Sequence, residues 1–454
     1  MLPMPGTPAA SWAVYRAKLG TVFEGADPRV CAAFWLFGLI NNVLYVIILS
    51  AAVDLVGPAV PKGAVLLADV IPSFITKLIA PYFIHQVPYS VRIFVFVGLS
   101  TAGMLLIALT PASRDGGAIG IRMLGIIFAS LSSGGGELSF LGLTHYYGHF
   151  SLAAWGSGTG GAGLVGAGAY VLATTTIGLP VRTSLLAFSF LPVIMLVSFF
   201  LILPRGPLQS SARQAEYERL GGDEDAEDDL RDPLEDNDGL LSASMMSVSG
   251  RSFTSLQSRR SQIWRSLQAN LNRSRHLVIP YPTQHSMLPL LLVYIAEYTI
   301  NQGVAPTLLF PLPSSPFSEY RAFYPTYNAI YQVGVFLSRS STPFVRIHHL
   351  YVPSFLQIVN LALLTAHAVW NFIPSVWIIF VIVFWEGLLG GLVYVSTFAE
   401  ITDNVPKAER EFSLSATSVS DSAGICAAGF LGMAFEVWLC DWQVSHGRDY
   451  CRRS

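Results

Sequence analysis

The chain has 454 residues, 52% of them hydrophobic and only 12% charged, with a formal net charge of −2. Soluble domains carry about 25% charged residues, so this composition and a mean hydropathy of +0.51 exclude a water-exposed globular surface. They indicate an all-α polytopic membrane protein. The charge balance gives no footprint for nucleic acid, and no nucleic-acid partner is expected. Four cysteines without a CxxC spacing exclude a zinc finger or a disulfide-built scaffold.

Spans need about 20 mostly apolar residues. That window finds eleven of them, at 30–53, 64–84, 91–109, 119–147, 153–177, 183–203, 288–310, 323–337, 350–369, 374–398 and 414–440. The apolar run at 30–53 exceeds the roughly 7–15 residues of a signal-peptide core, so it reads as a first span and not as a cleaved leader. The fourth window is long enough to predict a broken helix, and the eighth is short. Cys31 and Cys426 fall inside apolar windows and read as small buried side chains.

Residues 204–287 separate six spans from five. The stretch 221–239 is an acidic run (GGDEDAEDDLRDPLEDNDG) and is expected to be disordered. Beyond it the sign reverses, and Leu256, Ile263, Trp264, Leu267 and Leu271 fall near helical spacing among Arg259, Arg260 and Arg265. That pattern fits either a basic amphipathic helix on an anionic leaflet or a plain disordered loop. Asp236, Leu240 and Leu241 match an acidic dileucine signal for sorting adaptors, and Asn272-Arg-Ser274 is a glycosylation sequon.

Lysine and arginine are more abundant on the side of the N-terminus, which places that side in the cytosol by the positive-inside rule. The expected domains are therefore a cytosolic segment 1–29, a six-helix bundle 30–203, a cytosolic loop 204–287, a five-helix bundle 288–440 and a luminal tail 441–454. Cys440, at the end of the last span, and Cys451, in the tail, would lie outside the reducing cytosol and are candidates for a disulfide. This layout is major-facilitator-like, two bundles around a midplane site, one helix short. The charged signature usual between spans two and three is absent, the turn reading HQVPYSVR.

Ionisable side chains are stranded within the spans: Asp69 and Lys77 in the second, Glu137 in the fourth, Glu297 in the seventh and Glu386 in the tenth. Each charge at bilayer depth costs roughly 2.5–3.5 kcal/mol on insertion scales. They must line a wet cavity, pair with one another, or hold a proton. In a facilitator-type bundle the first, fourth, seventh and tenth helices line the cavity. Glu137, Glu297 and Glu386 are therefore substrate or proton candidates, with Asn41 and Asn42 on the first helix and Lys77 as cationic partner. Tyr298, Asn301 and Gln302 are placed to hydrogen-bond a polar substrate. Gly134–Gly136, just before Glu137, are expected to interrupt the fourth helix.

Two histidine pairs, His145 with His149 and His348 with His349, suit proton-relay or interfacial roles. Nine scattered histidines do not supply a di-iron lipid enzyme, so neither a metal, a cofactor nor an enzyme is expected. The run WGSGTGGAGLVGAG at 155–168 lacks the Lys-Ser/Thr of a phosphate loop, and Gly156 and Gly160 suit close helix packing.

Several blocks resemble the battenin family. They are NNVLYVIILSAA (41–52), LLADVIPSFITKLIAP (66–81), GTGGAGLVGA (158–167), AEYTINQG (296–303), YQVGVFLSRSS (331–341), EGLLGGLVYVSTFAEI (386–401) and REFSLSATSVSDSAGI (410–425). The resemblance implies a multi-pass protein of the lysosomal or vacuolar membrane with about eleven helices. It also implies roles in luminal pH homeostasis, basic amino-acid balance and glycerophosphodiester export. The C-terminal CRRS has arginines where a prenylation box needs aliphatics, so no lipid anchor is expected. The expected function is a transporter of small polar metabolites, proton-linked through its glutamates. The alternative is a trafficking scaffold acting through the cytosolic loop. Membrane lipids, a small solute, protons and sorting adaptors are the expected partners.

Overall fold

Pro28 opens the first long helix because Asp27 caps it, accepting from the Arg29 backbone N–H at 2.8 Å. The computed structural model describes residues 20–51, 62–84, 87–111, 116–209 and 284–452. It is nearly all helical, with no strand among the described residues. The helices are α1 (Pro28–Ser50), α2 (Lys62–Ile79), α3 (Tyr89–Leu109), α4 (Gly116–Tyr147), α5 (His149–Val171), α6 (Val181–Ile202), α7 (Gln284–Thr299), α8 (Phe323–Ser340), α9 (Tyr351–Trp370), α10 (Val376–Asn404) and α11 (Lys407–Ser445). Helix α6 is interrupted between Phe188 and Val193. Helix α7 runs on into a π-helical turn, Ile300–Val304.

Helix therefore occupies every window expected from hydropathy. Seven of these helices are long and apolar enough to cross a membrane by length and composition. The four that fall short are α2, α5, α7 and α8, which are shorter or rich in glycine, tyrosine and charge. All four face the central cavity, where an apolar surface is not required.

The connections follow local chemistry. Gly148 takes a positive φ of 79° in the one-residue link between α4 and α5. Asn371 closes α9 in the left-handed region at φ 52°. Ser375 caps α10 through its side chain.

Helices α1 to α6 pack on one another, as do α7 to α11. The two groups meet where α11 lies along α2 and α4, and where α5 lies along α8 and α10. Both groups belong to one compact unit. Of the expected loop 204–287, only its two ends are described. Asp236, Leu240, Leu241, the Asn272 sequon and the amphipathic stretch lie outside the described residues.

The triple glycine does not break α4, which continues as one helix of 32 residues. Its glycines serve packing. A methyl group on Gly134 would strike Ser73 of α2, one on Gly135 would strike the Phe96 ring of α3, and one on Gly136 would strike the Asn41 amide of α1. Three neighbours thus approach the α4 backbone on three sides, and no Cβ fits between. Gly156 and Gly160 act similarly on α5. Added Cβ atoms there would sit 2.8 Å from Val395 of α10 and 3.1 Å from the Phe336 backbone of α8.

Candidate functional site

A central cavity opens between the two bundles, with about 840 Å³ of atom-free space counting its open side. Helices α1, α2, α4, α5, α7, α8, α10 and α11 all contribute to its wall, twice the number of helices expected from the sequence. The wall is polar, with five tyrosines (Tyr45, Tyr294, Tyr298, Tyr331 and Tyr394), Asn42, Gln332 and several hydroxyls around charged groups.

The charged centre is a triad. Lys77 Nζ lies 2.7 Å from Glu137 Oε2 and 3.2 Å from Asp421 Oδ1. Tyr394 of α10 donates to the other Glu137 oxygen at 3.0 Å, and the Ser422 backbone N–H donates to Asp421 at 2.7 Å. Lys77 and Glu137 come from the first bundle, Asp421 and Tyr394 from the second. One ammonium therefore ties the halves together at a point where both carry negative charge. Ion pairing and hydrogen bonding together offset the desolvation that would otherwise forbid these charges at depth.

A second cation stands nearby. Arg339 of α8 donates to Thr159 Oγ1 of α5 at 2.8 Å and to the Tyr294 hydroxyl of α7 at 2.9 Å. Its guanidinium lies 4.1 Å over the Tyr394 ring, a cation–π contact. Among the described residues no carboxylate pairs with it. Hydroxyls and a ring face hold it instead.

The sequence-derived residues distribute unevenly. Glu137, Lys77, Asn42 and Tyr298 line the cavity, and so does Asp69. Asn41 does not; its amide donates to the Ser133 carbonyl at 3.0 Å and packs against Gly136. Glu297 and Glu386 are 1% and 0% exposed and lie outside the cavity wall, inside the second bundle. Glu297 accepts from the Tyr331 hydroxyl, and Asn301 donates weakly to Glu386 at 3.5 Å. Gln302 packs towards Gly432 of α11. Lys77 is therefore the partner of Glu137 and not of Glu297. The reason is geometric: the Glu297 side chain leaves α7 towards α8 and α10, away from α2.

Asp421 and Arg339 are the residues that reading the sequence missed. Asp421 sits in the Ser/Thr-rich SATSVSDSAG of α11, which looks like a polar helix face. Arg339 lies beyond the expected end of the eighth span at 337, but α8 continues to Ser340 and carries it inward. The signal available for both was their place in the conspicuous blocks 331–341 and 410–425.

Elsewhere, Cys440 and Cys451 are joined as a disulfide with their Cα atoms 5.8 Å apart. His348 meets Glu400 at the outer end of α10. His145 and His149 flank the turn between α4 and α5.

Comparison with known proteins is decisive on ancestry. The model of the CLN3 protein family matches residues 32–442. The chain belongs to the CLN3, or battenin, family. Among its CLN3 relatives, the protein btn1 of Aspergillus fumigatus is 67% identical over the whole of this chain and 97% of its own. The protein BTN1 of Yarrowia lipolytica is 47% identical over 93% of this chain and 97% of its own. Solved structures show that the CLN3 chain has the major facilitator fold. The proton:xylose symporter XylE superposes with a TM-score of 0.58 at 12% identity, covering 96% of this chain and 94% of that one. The human organic anion transporter MFSD10 gives 0.55 at 14% identity, covering 94% and 96%. This CLN3 protein is thus a multi-pass, all-helical membrane protein.

Proposed function

We propose that this protein is a secondary transporter of the vacuolar or lysosomal membrane. It moves a small polar metabolite, a basic amino acid such as arginine or a glycerophosphodiester, with a proton as coupling ion, and contributes to luminal pH homeostasis. The observation that carries this reading is the Lys77–Glu137–Asp421 triad at the junction of the two halves, inside the cavity. A cavity between two rocking bundles is the place where a solute meets both sides of a membrane in turn. A buried ion pair that spans those bundles is sensitive to their separation. When they part, Lys77 stays with Glu137 in the first bundle and Asp421 loses the ammonium, so protonation becomes the way to keep Asp421 uncharged. Arg339, held by neutral groups, complements an anionic group on the solute, and the tyrosine-rich wall offers donors for its polar body.

The test is uptake by purified protein in liposomes, with and without an imposed pH gradient, using labelled arginine and labelled glycerophosphocholine. Wild-type protein should move one of them faster when protons run down their gradient, and Asp421→Asn should lose that dependence. Gradient-independent flux in both proteins would remove the proton linkage. Absence of flux for both solutes would remove the substrate classes.

Sorting adaptors remain the proposed partners of the loop, through Asp236, Leu240 and Leu241. Leu240→Ala with Leu241→Ala should move the protein off the vacuole, and unchanged localisation would sink that role.

A further inference from the structure

Behind the cavity wall lies a second acidic site that the triad does not explain. Glu297 and Glu386 are 1% and 0% exposed. They stand within electrostatic reach of each other. Asn301, one helical turn after Glu297 on the same face of α7, donates to Glu386 Oε1. Each carboxyl keeps one oxygen, Oε2, buried without a hydrogen-bond partner among the described residues.

The fold makes room for this arrangement. A Cβ on Gly390 of α10 would fall on the Glu297 carboxyl, so the absence of a side chain at 390 is what seats that group between α8 and α10. Immediately after Thr299 the α7 helix widens into its π turn, Ile300–Val304. Such turns inside helices recur at functional sites.

Charge does not balance around the pair. The groups facing it are Tyr294 and Tyr298 on its own helix, Tyr331 and Arg339 on α8, Glu386 on α10 and, further off on α11, Asp421. Arg339 is the one cation among them, and it makes no ion pair with either glutamate. Asp421 is already committed to Lys77. Two ionised carboxylates here would be left with unpartnered oxygens out of contact with bulk solvent, which is the costly case for buried charge. At least one of them therefore requires a positive counterpart small enough to fit among packed helices, outside the wall of the central cavity.

We propose that Glu297 and Glu386 form a proton-binding pair walled off from the cavity and reached through the hydroxyl of Tyr331. Among the described residues Tyr331 is the one that both lines the cavity and hydrogen-bonds the pair. Its O–H donates to Glu297 Oε1, so the phenol can hand that proton to the carboxylate as its oxygen takes up another from the cavity side, and rotation of the hydroxyl about its C–O bond then resets the donor. The proposal deepens the proton-linked reading above by separating proton storage, in the second bundle, from solute binding, in the cavity.

The experiment is infrared spectroscopy of the purified full-length protein at neutral pH, which reads protonated carboxyls directly and needs no transport. Wild type should show a protonated-carboxyl band that is lost or at least halved in Glu297→Gln and in Glu386→Gln but kept in Glu137→Gln. Two variants at two positions guard against one that fails to fold, and monodispersity on size exclusion identifies such a failure. After transfer to deuterated buffer, Tyr331→Phe should keep the band but slow its isotope shift tenfold or more. A wild-type spectrum without the band, or a band indifferent to both glutamine variants, overturns the pair. A band abolished by sodium chloride assigns the site to a metal cation and overturns the proton. Isotope exchange unchanged in Tyr331→Phe overturns the relay. None of these outcomes depends on whether arginine or glycerophosphocholine is carried.

Discussion

Tyr146, near the end of α4, donates a 2.7 Å hydrogen bond to Glu411, near the start of α11, while Tyr89 from the start of α3 donates to the other oxygen of the same carboxylate at 2.5 Å. One turn further along α11, Ser415 donates to the Leu138 carbonyl of α4 at 3.0 Å. Two helices of the first bundle are thus clamped on one helix of the second, at the end of the molecule where α1 begins.

This clamp should be measurable. Hydrogen bonds to a charged acceptor contribute about 1.5–3 kcal/mol each. Glu411→Ala should lower the melting temperature of the detergent-purified protein more than Tyr89→Phe or Tyr146→Phe alone. Glu411→Gln, which keeps one carbonyl acceptor, should fall between. Equal melting of Glu411→Ala and wild type would show that the clamp contributes nothing to this state.

The triad makes a sharper prediction. Lys77→Met leaves Glu137 and Asp421 without their cation, and breaking a buried pair in this way typically costs about 3–5 kcal/mol. Combining it with Glu137→Gln and Asp421→Asn removes the stranded charges and should restore most of the melting temperature without restoring transport. A triple variant no more stable than Lys77→Met alone would contradict the charge argument.

Gly136 tests the packing of α4. Alanine there drives a methyl group into the Asn41 amide, and overpacking costs about 1–3 kcal/mol. Asn41→Ala loses the bond to Ser133 but clears the space, so the double variant should be more stable than the two single losses added together. Strict additivity in that double-mutant cycle would deny the collision.

The disulfide closes a short loop after α11. Cross-links of this size stabilise by about 2–3 kcal/mol in the chain-entropy model. Reduction before alkylation should add two alkyl groups beyond any on the free thiols Cys31 and Cys426, and Cys451→Ser should lower the melting temperature. Alkylation of Cys440 and Cys451 without reductant would refute the bond. The same topology predicts no glycan at Asn272, which peptide mass spectrometry can check.

Much of the fold could be read in advance because membrane helices declare themselves by length and apolarity. The site was less legible, for a related reason. A helix that faces a polar cavity mixes hydroxyls, tyrosines and charges into its apolar pattern, so hydropathy windows end early, as at 337, just before Arg339. Lys77 and Asp421 are separated by 344 positions, and no local pattern reports such a pairing. Glu297 and Glu386 stood out as charges in apolar surroundings, but which way their side chains leave the helix depends on neighbours such as Gly390, which only the packed structure reveals. The triple glycine misled because the same residues that break helices also let helices touch.

Helix α11 supplies Asp421 to the triad, Glu411 to the clamp and Cys440 to the disulfide, and it lies along α2, α4 and α7. Among the described long helices it is also the last in chain order. A nascent chain therefore carries Lys77 through insertion without its second carboxylate, and α3 and α4 without their anchor, until α11 itself is inserted. A chain that stops before Lys407 keeps the Lys77–Glu137 pair but lacks Asp421 beside it, and lacks the Glu411 that anchors α3 and α4. Such a product should be cleared by membrane quality control, so its deficit would be read first in abundance and only then in transport.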